Sequence, residues 1–387
     1  MRRQQLIAAG LALLLAGAAS LDASAGEIGV DPDRILFGQA AVLAGPSSAL
    51  GQGMRQGIVA AFAEVNARGG VHGRKLELIS RDDGYDPDRS AAQTTKLIEE
   101  DKVFALIGAV GTPTTAATLP IARANNVPFI GPFTGAAFLR APDLHNVVNI
   151  RASYAAEAEA WVKHLTEDLQ IRNIAIFYQD DAFGRDGLAG VKLALQKRSM
   201  ELAAEGTFER NTRAVGSALR TLRRAEPEAV VMVGTYGACA EFIKLAHKSG
   251  FNPIFVNISF VGASALAKEL GPEGSGVIVS QVVPFPWDAS VQVVADYQAA
   301  ERALDSSLKP DFVSLEGYLS GRLVAAVLEK AGPNPTRAEM LRLINEIGSF
   351  DISGDIMTFG PKAQDAPAKV FLTVIQPDGT FKAVEKL

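Results

Sequence analysis

The strongest constraint on the fold is the regular alternation of short apolar runs with amphipathic stretches along most of the chain. Apolar runs such as IAIFY at 174–178 and AVVMVG at 229–234 are typical of strands buried on both faces of a parallel sheet. Each run is followed by a loop and then by residues at helical spacing, for example Met54, Ile58 and Phe62. This alternation predicts an α/β fold with helices on both faces of the sheets.

The number of strand-helix units is too large for one sheet. The chain has 387 residues, of which 48% are hydrophobic and 21% charged, and this length suffices for two domains of ordinary size. We therefore expect two doubly wound lobes. No low-complexity linker separates them, so we predict that the chain passes between the lobes near Ile150–Arg151 and again at 281–287.

The first 25 residues have the pattern of a secretory signal peptide. Two arginines at 2–3 precede an apolar run at 6–19, and ASA at 23–25 has the form of a cleavage site. The apolar run is shorter than the roughly 20 residues of a membrane-spanning helix. We therefore predict export to the periplasm and a mature chain that starts near Gly26. The chain is acidic, with a formal net charge of −5, which argues against nucleic-acid binding.

The stretch GAVGTPTTAATLP at 108–120 has the composition of an anion site. We interpret Thr112 as a helix N-cap and Pro113 as the first helical residue, so that the amides of Thr114 and Thr115 lie in the first turn. The positive end of a helix favours a bound anion. The P-loop and dinucleotide patterns are both missing, which disfavours a nucleotide phosphate. A threonine-rich turn that only caps its helix is an equal alternative at this point.

Catalysis and metal binding lack the residue patterns that they need. The sequence has no G-x-S-x-G motif, and its four histidines occur singly, without metal-ligand spacing. The lone Cys239 lies in a helix-like run and is interpreted as a buried apolar residue rather than a nucleophile. Paired acids at 82–83 and 180–181 follow strands and could be general acids, although solvated turn residues are the commoner explanation. We predict no enzyme activity, no metal and no cofactor.

Five longer segments occur in a distinctive order. They are GQAAVLAGPSSALGQGMRQGIVAAFAEVNARGGVHGRKLELISRDDGYDP, IGAVGTPTTAATLPIARANNVPFIGPFTGAAFL, FYQDDAFGRDG, VMVGTYGACAEFIKLAHKSG and DFVSLEGYL. This ordered set resembles the periplasmic leucine/isoleucine/valine-binding protein family of ABC importers. The resemblance covers essentially the whole mature chain and is more specific than any single loop.

The resemblance implies the type I periplasmic binding protein fold, in which two lobes joined by three crossings close over a small ligand by hinge motion. The implied lobe 1 is 33–151 plus 281–354, and lobe 2 is 152–280 plus 355–387. The third crossing would lie near Ser353–Gly354. The implied partners are a small-molecule carboxylate or amino acid and an ABC permease in the inner membrane, and we expect a monomer.

Residue by residue, the resemblance implies a carboxylate seat on lobe 1, a lining for the ligand side chain, and a surface of lobe 2 that closes over the ligand. The implied seat consists of Thr112, Phe133, Thr134 and Gly135. The implied lining consists of Leu50 and Phe312, and the closing surface of Phe183 and Tyr236.

One departure from the family pattern affects the class of ligand. The family's acid that holds the ligand ammonium aligns with Ser259, and a serine cannot neutralise an ammonium. A buried cation without a partner is unfavourable, so either Glu316 or another acid replaces that group, or the ligand is not an α-amino acid. Glu316 is alternatively a solvated helix residue.

Two further departures concern packing. Phe183 stands where the family often has tyrosine, and together with Phe133 it predicts an apolar, aromatic cleft that would suit an aromatic or branched carboxylate. Tyr85 and Gly111 stand at the aligned positions of a disulfide that some relatives possess.

The leading prediction is a solute-binding component of an ABC importer that binds a branched-chain amino acid or a related small carboxylate. One alternative is a ligand-sensing protein for a membrane receptor, and another is a binder of an aromatic carboxylate. A secreted hydrolase with Ser259 as nucleophile would need a base that no motif supplies. The binding interpretations all require a gap between the lobes that a small ligand can reach.

Overall fold

The computed structural model describes residues 26–384 apart from 361 and 363–368. The predicted signal peptide and its cleavage site lie outside the described residues. Across these described ranges, no helix combines the length and the apolar character that crossing a membrane requires.

The first lobe contains a five-stranded parallel sheet. Its strands are β1 (Arg34–Ala41), β2 (Lys75–Asp82), β3 (Ala105–Ile107), β4 (Phe129–Ile130) and β5 (Val147–Val148), in the order β2-β1-β3-β4-β5. The helices that follow β1, β2 and β3 are α1 (Ser48–Ala67), α2 (Pro87–Glu99) and α3 (Thr112–Ala124). Strand β1 is buried at every position after Arg34, as expected for a strand covered on both faces.

The second lobe begins with helix α4 (Tyr154–Lys163) and continues with five parallel strands. These are β6 (Ile174–Gln179), β7 (Glu205–Phe208), β8 (Ala229–Val233), β9 (Ile254–Asn257) and β10 (Ile278–Gln281). The connecting helices are α5 (Ala182–Gln196), α6 (Gly216–Arg224), α7 (Tyr236–Lys248) and α8 (Ala263–Leu270).

After β10 the chain returns to the first lobe and then passes back to the second sheet. Three helices follow, α9 (Gln292–Leu304), α10 (Phe312–Ala331) and α11 (Arg337–Ile347), and α1 packs against α9 and α10. An antiparallel hairpin is formed by β11 (Ser349–Ile352) and β12 (Asp355–Thr358). Two antiparallel strands, β13 (Phe371–Ile375) and β14 (Phe381–Ala383), complete the seven-stranded order β14-β13-β10-β9-β8-β6-β7.

The predicted α/β class with two doubly wound lobes is confirmed by these two sheets. Ser353 and Gly354, however, form the tight turn of the β11-β12 hairpin, with φ values of 50° and 87°. The chain joins the second sheet only at β13, so this turn is not itself a crossing strand. The proposed lobe limits at 151, 281 and 354 stay predictions.

Two helix starts illustrate how local hydrogen bonds set element boundaries. Helix α2 starts at Pro87, because the Asp86 carboxylate caps it by accepting the N–H of Arg89 at 3.0 Å. Helix α5 starts at Ala182, because the Asp181 carboxylate caps it by accepting the N–H of Phe183 at 2.9 Å. Asp181 is therefore a capping residue. Asp83 of the other acidic pair, in contrast, is fully buried and accepts from the Tyr85 amide and the Ser90 hydroxyl, so the interpretation as a solvated turn residue is wrong for Asp83.

Candidate functional site

The candidate site lies where the loops at the carboxyl ends of the two parallel sheets meet. Strand order reverses between β1 and β3 in the first sheet and between β6 and β8 in the second. Open α/β sheets bind ligands outside the carboxyl ends of their strands at such reversals. The loops after β3, β4, β6, β8 and β9 hold most of the residues described below.

The predicted seat contains a pair of threonine hydroxyls. Thr112 Oγ1 lies 2.7 Å from Thr134 Oγ1, so the loops after β3 and β4 join at this point. Thr112 is the first residue of α3 and not its N-cap, which corrects the sequence prediction. Gly111 is the cap, at a φ of 103° that side-chain-bearing residues rarely adopt, and a Cβ there would lie 2.3 Å from Cε2 of Tyr85.

The first turn of α3 keeps the donors that an anion site needs. The first four N–H groups of a helix have no acceptor within it, and Pro113 has no N–H. The N–H of Thr115 donates to the carbonyl of Gly111 at 3.1 Å, while the Thr114 hydroxyl donates to the carbonyls of Val110 and Gly111. The amides of Thr112 and Thr114 therefore remain the donors of this turn for a ligand.

Gly135, the last predicted seat residue, lies against Tyr154 at the start of α4. A Cβ at Gly135 would be 2.6 Å from Cδ1 of Tyr154, and the carbonyl of Gly135 accepts the Tyr154 N–H at 2.9 Å. The Tyr154 hydroxyl is buried beside the hydroxyls of Thr112 and Thr134, whose hydrogen bonds to it oppose a rise of its pKa. Burial raises the pKa of Tyr154 to about 12, so the phenol remains protonated and available as a donor.

Aromatic rings from both lobes meet beside the seat. The Phe260 ring lies 5.2 Å from Phe133, 4.6 Å from Phe183 and 6.2 Å from Tyr85, measured between centroids. Tyr154 lies 5.4 Å from Phe183. Phe133 and Phe183 are thus brought together as the resemblance implied, but through Phe260, which the sequence interpretation did not include.

The expected open gap is not present at this position. Thr112 is 1% exposed and Thr134 is fully buried, because the lobes are in contact and Phe260 fills the space between Phe133 and Phe183. A ligand can therefore reach the hydroxyl pair only when the lobes separate or when the Phe260 side chain moves.

Leu50 and Tyr236 lie on a second contact between the lobes. A Cβ at Gly262 would be 2.6 Å from Cδ2 of Leu50, so the start of α1 touches the loop after β9. The N–H of Ala49 donates to the Tyr236 hydroxyl at 3.4 Å. Both predicted residues therefore sit at the interlobe surface, on opposite sides of it.

Ser259 belongs to a buried charged network. Its N–H and its hydroxyl donate to the Glu157 carboxylate at 2.9 and 3.0 Å, and the hydroxyl accepts from Nη2 of Arg151. Ser280 also donates to Glu157, at 2.5 Å. The position of the family's acid therefore carries a neutral hydroxyl that bridges an arginine and a glutamate.

Glu316 is the second acid of this network and is not a solvated helix residue. Its Oε1 lies 3.5 Å from Nε of Arg151, and the two side chains are 2% and 1% exposed. Burial raises the pKa of Glu316 to about 7, although the charge of Arg151 opposes this shift. Burial lowers the pKa of Arg151, but Glu316 and Glu157 outweigh it and the net pKa is raised, so the guanidinium stays charged.

Phe312 lies in a different cluster. Its ring packs at 5.4 Å from Trp287, 5.9 Å from Phe285 and 5.8 Å from Phe381. Those three neighbours also line a separate groove of about 1000 Å³ beside α8. The structure does not place the Phe312 ring in the aromatic cluster beside the threonine pair.

The sequence interpretation missed four residues of the site as functional groups: Arg151, Tyr154, Glu157 and Phe260. Two charged residues carried a usable signal. Arg151 directly follows the apolar run VVNI, and Glu157 lies within the largely apolar stretch AAEAEAW. A charge inside a segment predicted to be buried needs a partner, so each of them pointed to a buried polar contact.

No metal centre is found in the part of the chain that the structure describes, where no three His, Cys, Asp or Glu side chains converge in a way that could hold an ion. Cys239 is fully buried in α7, as predicted, and burial raises the pKa of its thiol.

Comparisons with known proteins agree with the fold and with the family that the sequence resembles. A family model described as periplasmic binding protein matches residues 35–380. A crystal structure of a possible leucine/isoleucine/valine-binding protein from Rhodopirellula baltica is 38% identical, covers 92% of this chain and 97% of that chain, and has a TM-score of 0.86.

A curated relative from Pseudomonas aeruginosa, the leucine-, isoleucine-, valine-, threonine-, and alanine-binding protein, is 23% identical over 90% of this chain and 92% of its own length. A solute-binding protein from R. palustris in complex with benzoate shares the fold at 20% identity, with a TM-score of 0.79 over 91% of this chain and 95% of that one. The chain therefore belongs to the periplasmic binding protein family, and it is of the leucine/isoleucine/valine-binding type.

Proposed function

We propose that this protein is the solute-binding component of an ABC importer and that it binds a small carboxylate between its lobes. The observation that carries the proposal is the pair of hydroxyls of Thr112, at the start of α3, and Thr134, in the loop after β4. Aromatic rings from both lobes enclose this pair. Hydroxyls and helix amides are neutral donors that bind a carboxylate without needing a countercharge. The proposal includes export to the periplasm as a monomer and delivery of the ligand to an inner-membrane permease.

The apolar part of the ligand is inferred from the aromatic rings. Phe133, Phe183 and Phe260 offer a flat, apolar surface next to the hydroxyl pair. This surface favours an aromatic or branched carboxylate over a small polar one. The P. aeruginosa relative is named for amino acids and the R. palustris structure contains benzoate, and all of these ligands end in a carboxylate.

A thermal-shift panel tests the proposal directly. The mature protein would be heated with aliphatic carboxylates, aromatic carboxylates and amino acids, each paired with the neutral amide of the same skeleton as a control. A ligand at 100 times its Kd stabilises the folded state by about 2.7 kcal/mol, which raises the melting temperature by several degrees. At least one carboxylate is expected to do so while its amide does not. No shift with any carboxylate, or equal shifts with the amides, would reject the proposal.

We also propose that the bound ligand is not transformed. The Glu157 carboxylate lies within hydrogen-bond reach of the Ser259 hydroxyl as a base, but two further donors also bond Glu157 and Arg151 donates to the Ser259 oxygen, which weakens both base and nucleophile. We expect no hydrolysis of esters or amides of the bound acids. Turnover that disappears in Ser259→Ala would contradict this part of the proposal.

A further inference from the structure

The Arg151 guanidinium has more hydrogen-bond donors than its surroundings use. Nη2 donates to Ser259, whereas Nε and Nη1 have no hydrogen-bond partner in the described residues, although the side chain is 1% exposed. Unpartnered buried donors are rare in folded proteins, and each one calls for an explanation such as a ligand.

The guanidinium adjoins the proposed carboxylate seat. Its Cζ lies 4.5 Å from the centroid of the Phe133 ring, and Phe133 directly precedes Thr134 in the loop after β4. Tyr154, three residues after Arg151, packs against Gly135 of the same loop, and its buried hydroxyl lies beside those of Thr112 and Thr134. A molecule bound at the threonine pair would therefore meet further donors from Arg151 and Tyr154.

The acceptors of this network are nearly all engaged. Glu157 receives three hydrogen bonds, from the Ser259 amide, the Ser259 hydroxyl and the Ser280 hydroxyl. Oε1 of Glu316, which also has no hydrogen-bond partner in the described residues, faces the guanidinium at 3.5 Å. The guanidinium therefore keeps unused donors beside the Phe133 ring. An ammonium placed there would be repelled by the guanidinium and would compete with it for Glu316.

We propose that Arg151 determines ligand specificity by donating to a second oxygen of the ligand, and that the ligand is a 2-oxo acid or a dicarboxylic acid without an ammonium group. This inference rests on the proposed carboxylate-binding function. A site built to donate hydrogen bonds discriminates strongly against an analogue that lacks the matching oxygen.

The test uses ligands that share one carbon skeleton. For the aromatic skeleton the set is phenylpyruvate, benzylmalonate, L-phenylalanine and 3-phenylpropanoate. For the branched skeleton it is 4-methyl-2-oxopentanoate, isobutylmalonate, L-leucine and 4-methylpentanoate. Calorimetric titration of the wild-type protein is expected to give, in at least one set, an oxo acid or diacid with a Kd at least tenfold lower than those of the amino acid and the unsubstituted acid.

Two variants isolate the contribution of Arg151. Arg151→Met combined with Glu316→Gln removes one positive and one negative charge, so the net charge of the buried network stays the same and Glu157 keeps its bonds to Ser259 and Ser280. In this variant the Kd values of the oxo acid or diacid and of the unsubstituted acid should become about equal, with the unsubstituted acid bound within threefold of wild type. Arg322→Met is the matched control, because Arg322 also pairs with a glutamate, Glu64 at 3.0 Å, and lies over a ring, Tyr318 at 5.6 Å. That control should keep the wild-type preference.

The outcomes separate this inference from the proposed function. If the amino acid or the unsubstituted acid binds as tightly as the oxo acid and the diacid, the inference is wrong while carboxylate binding stands. If the double variant keeps the preference, Arg151 is not its source. If no carboxylate binds at all, the proposed function itself is wrong. If the double variant does not fold, the comparison of ligands on the wild-type protein still tests the inference. Arg151→Lys then replaces the double variant and is expected to retain only part of the preference.

Discussion

At the scale of single residues, the site combines neutral donors with a buried charged network. Thr112 and Thr134 provide hydroxyls, whereas Arg151, Glu157 and Glu316 provide one positive and up to two negative charges. Such a network is destabilising unless its members are paired, because each charge has lost its hydration. The network therefore has a structural role between the lobes in addition to any contact with a ligand.

Replacement of Thr112 by valine tests the carboxylate seat. The change removes one hydroxyl with little change in volume, and a hydrogen bond to a carboxylate contributes about 1.5 to 3 kcal/mol. We expect the Kd for the carboxylate selected in the thermal-shift panel to rise by about 10 to 150-fold in calorimetric titration. Thr118→Val is the matched control, since Thr118 is buried in the same helix and its hydroxyl only bonds the carbonyl of Thr115 at 3.2 Å. Equal affinities for wild type and Thr112→Val would remove Thr112 from the site.

The raised pKa of Glu316 predicts that the stability of the folded protein falls as the pH rises. Its pKa is raised from 4.5 to about 7 in the folded state, so the folded protein binds more protons than the unfolded chain between those values. The free energy of unfolding contributed by this group therefore falls as the pH rises through that window, with a slope of at most about 1.4 kcal/mol per pH unit. Glu316→Gln should flatten the curve between pH 5 and 7 in urea denaturation. An unchanged slope would show that Glu316 does not titrate there.

Asp83 provides an internal comparison for that experiment. Burial raises its pKa to about 6, although the Ser90 hydroxyl and the Tyr85 amide donate to it and oppose the shift. Asp83→Asn should therefore flatten the lower part of the same window, below about pH 6. If both variants leave the curve as in wild type, other groups determine it.

At the scale of elements, the framework of the first lobe depends on the close approach of α1 to α10. Gly57 lies where a Cβ would be 1.8 Å from the carbonyl oxygen of Ser314 and 2.5 Å from the amide nitrogen of Tyr318. The absence of a side chain lets the two backbones touch. This contact matters for the site because α1 also presents Leu50 to the second lobe.

Gly57→Ala should therefore destabilise the protein despite the better helix propensity of alanine. Overpacking of this kind lowers the free energy of unfolding by about 1 to 3 kcal/mol. We expect a value at the upper end of this range, because the added Cβ would clash with backbone atoms rather than with a side chain that can move. Gly216→Ala is the control, because Gly216 opens α6 and the nearest atom to its added Cβ is Nη1 of Arg220 at 3.7 Å. That variant should be neutral or stabilised by about 0.4 to 1 kcal/mol. Chemical denaturation would measure both, and equal stability of Gly57→Ala and wild type would contradict the packing argument.

At the scale of the whole molecule, the arrangement of the lobes controls access to the site. Leu50 touches the loop at Gly262, Phe133 meets Phe260, and the Gln179 amide donates to the Tyr85 hydroxyl at 3.4 Å. These contacts enclose the threonine pair completely. A hinge between two lobes explains how a buried seat exchanges its ligand, because opening exposes both faces at once.

Small-angle scattering tests this closure. A compact chain of this length has a radius of gyration of about 21 Å. The radius of gyration of the ligand-free protein in solution is expected to be larger than that of the ligand-saturated protein. Saturation with the carboxylate selected in the thermal-shift panel should lower the radius, and its amide should not. An unchanged radius at a concentration that calorimetry shows to be saturating would mean that Phe260 moves by itself and the lobes do not.

Features that depend on neighbouring residues could be predicted from the sequence alone. The alternation of apolar and amphipathic runs predicted both sheets, and the helix-like run around Cys239 predicted its burial. Each depends on periodicity or on hydrogen bonds within a few residues, which a linear pattern contains.

The contents of the site could not be predicted without the fold. Ser259 and Ser280 come from segments far from Arg151 and Glu157 in the chain, and no local pattern predicts that the four residues share hydrogen bonds. Phe260 likewise fills the expected gap only because strand order and lobe packing bring the loop after β9 against the loop after β4. The physical reason is that secondary structure follows from local periodicity, whereas the partners of a buried charge or ring follow from how distant strands are ordered and how the two sheets face each other.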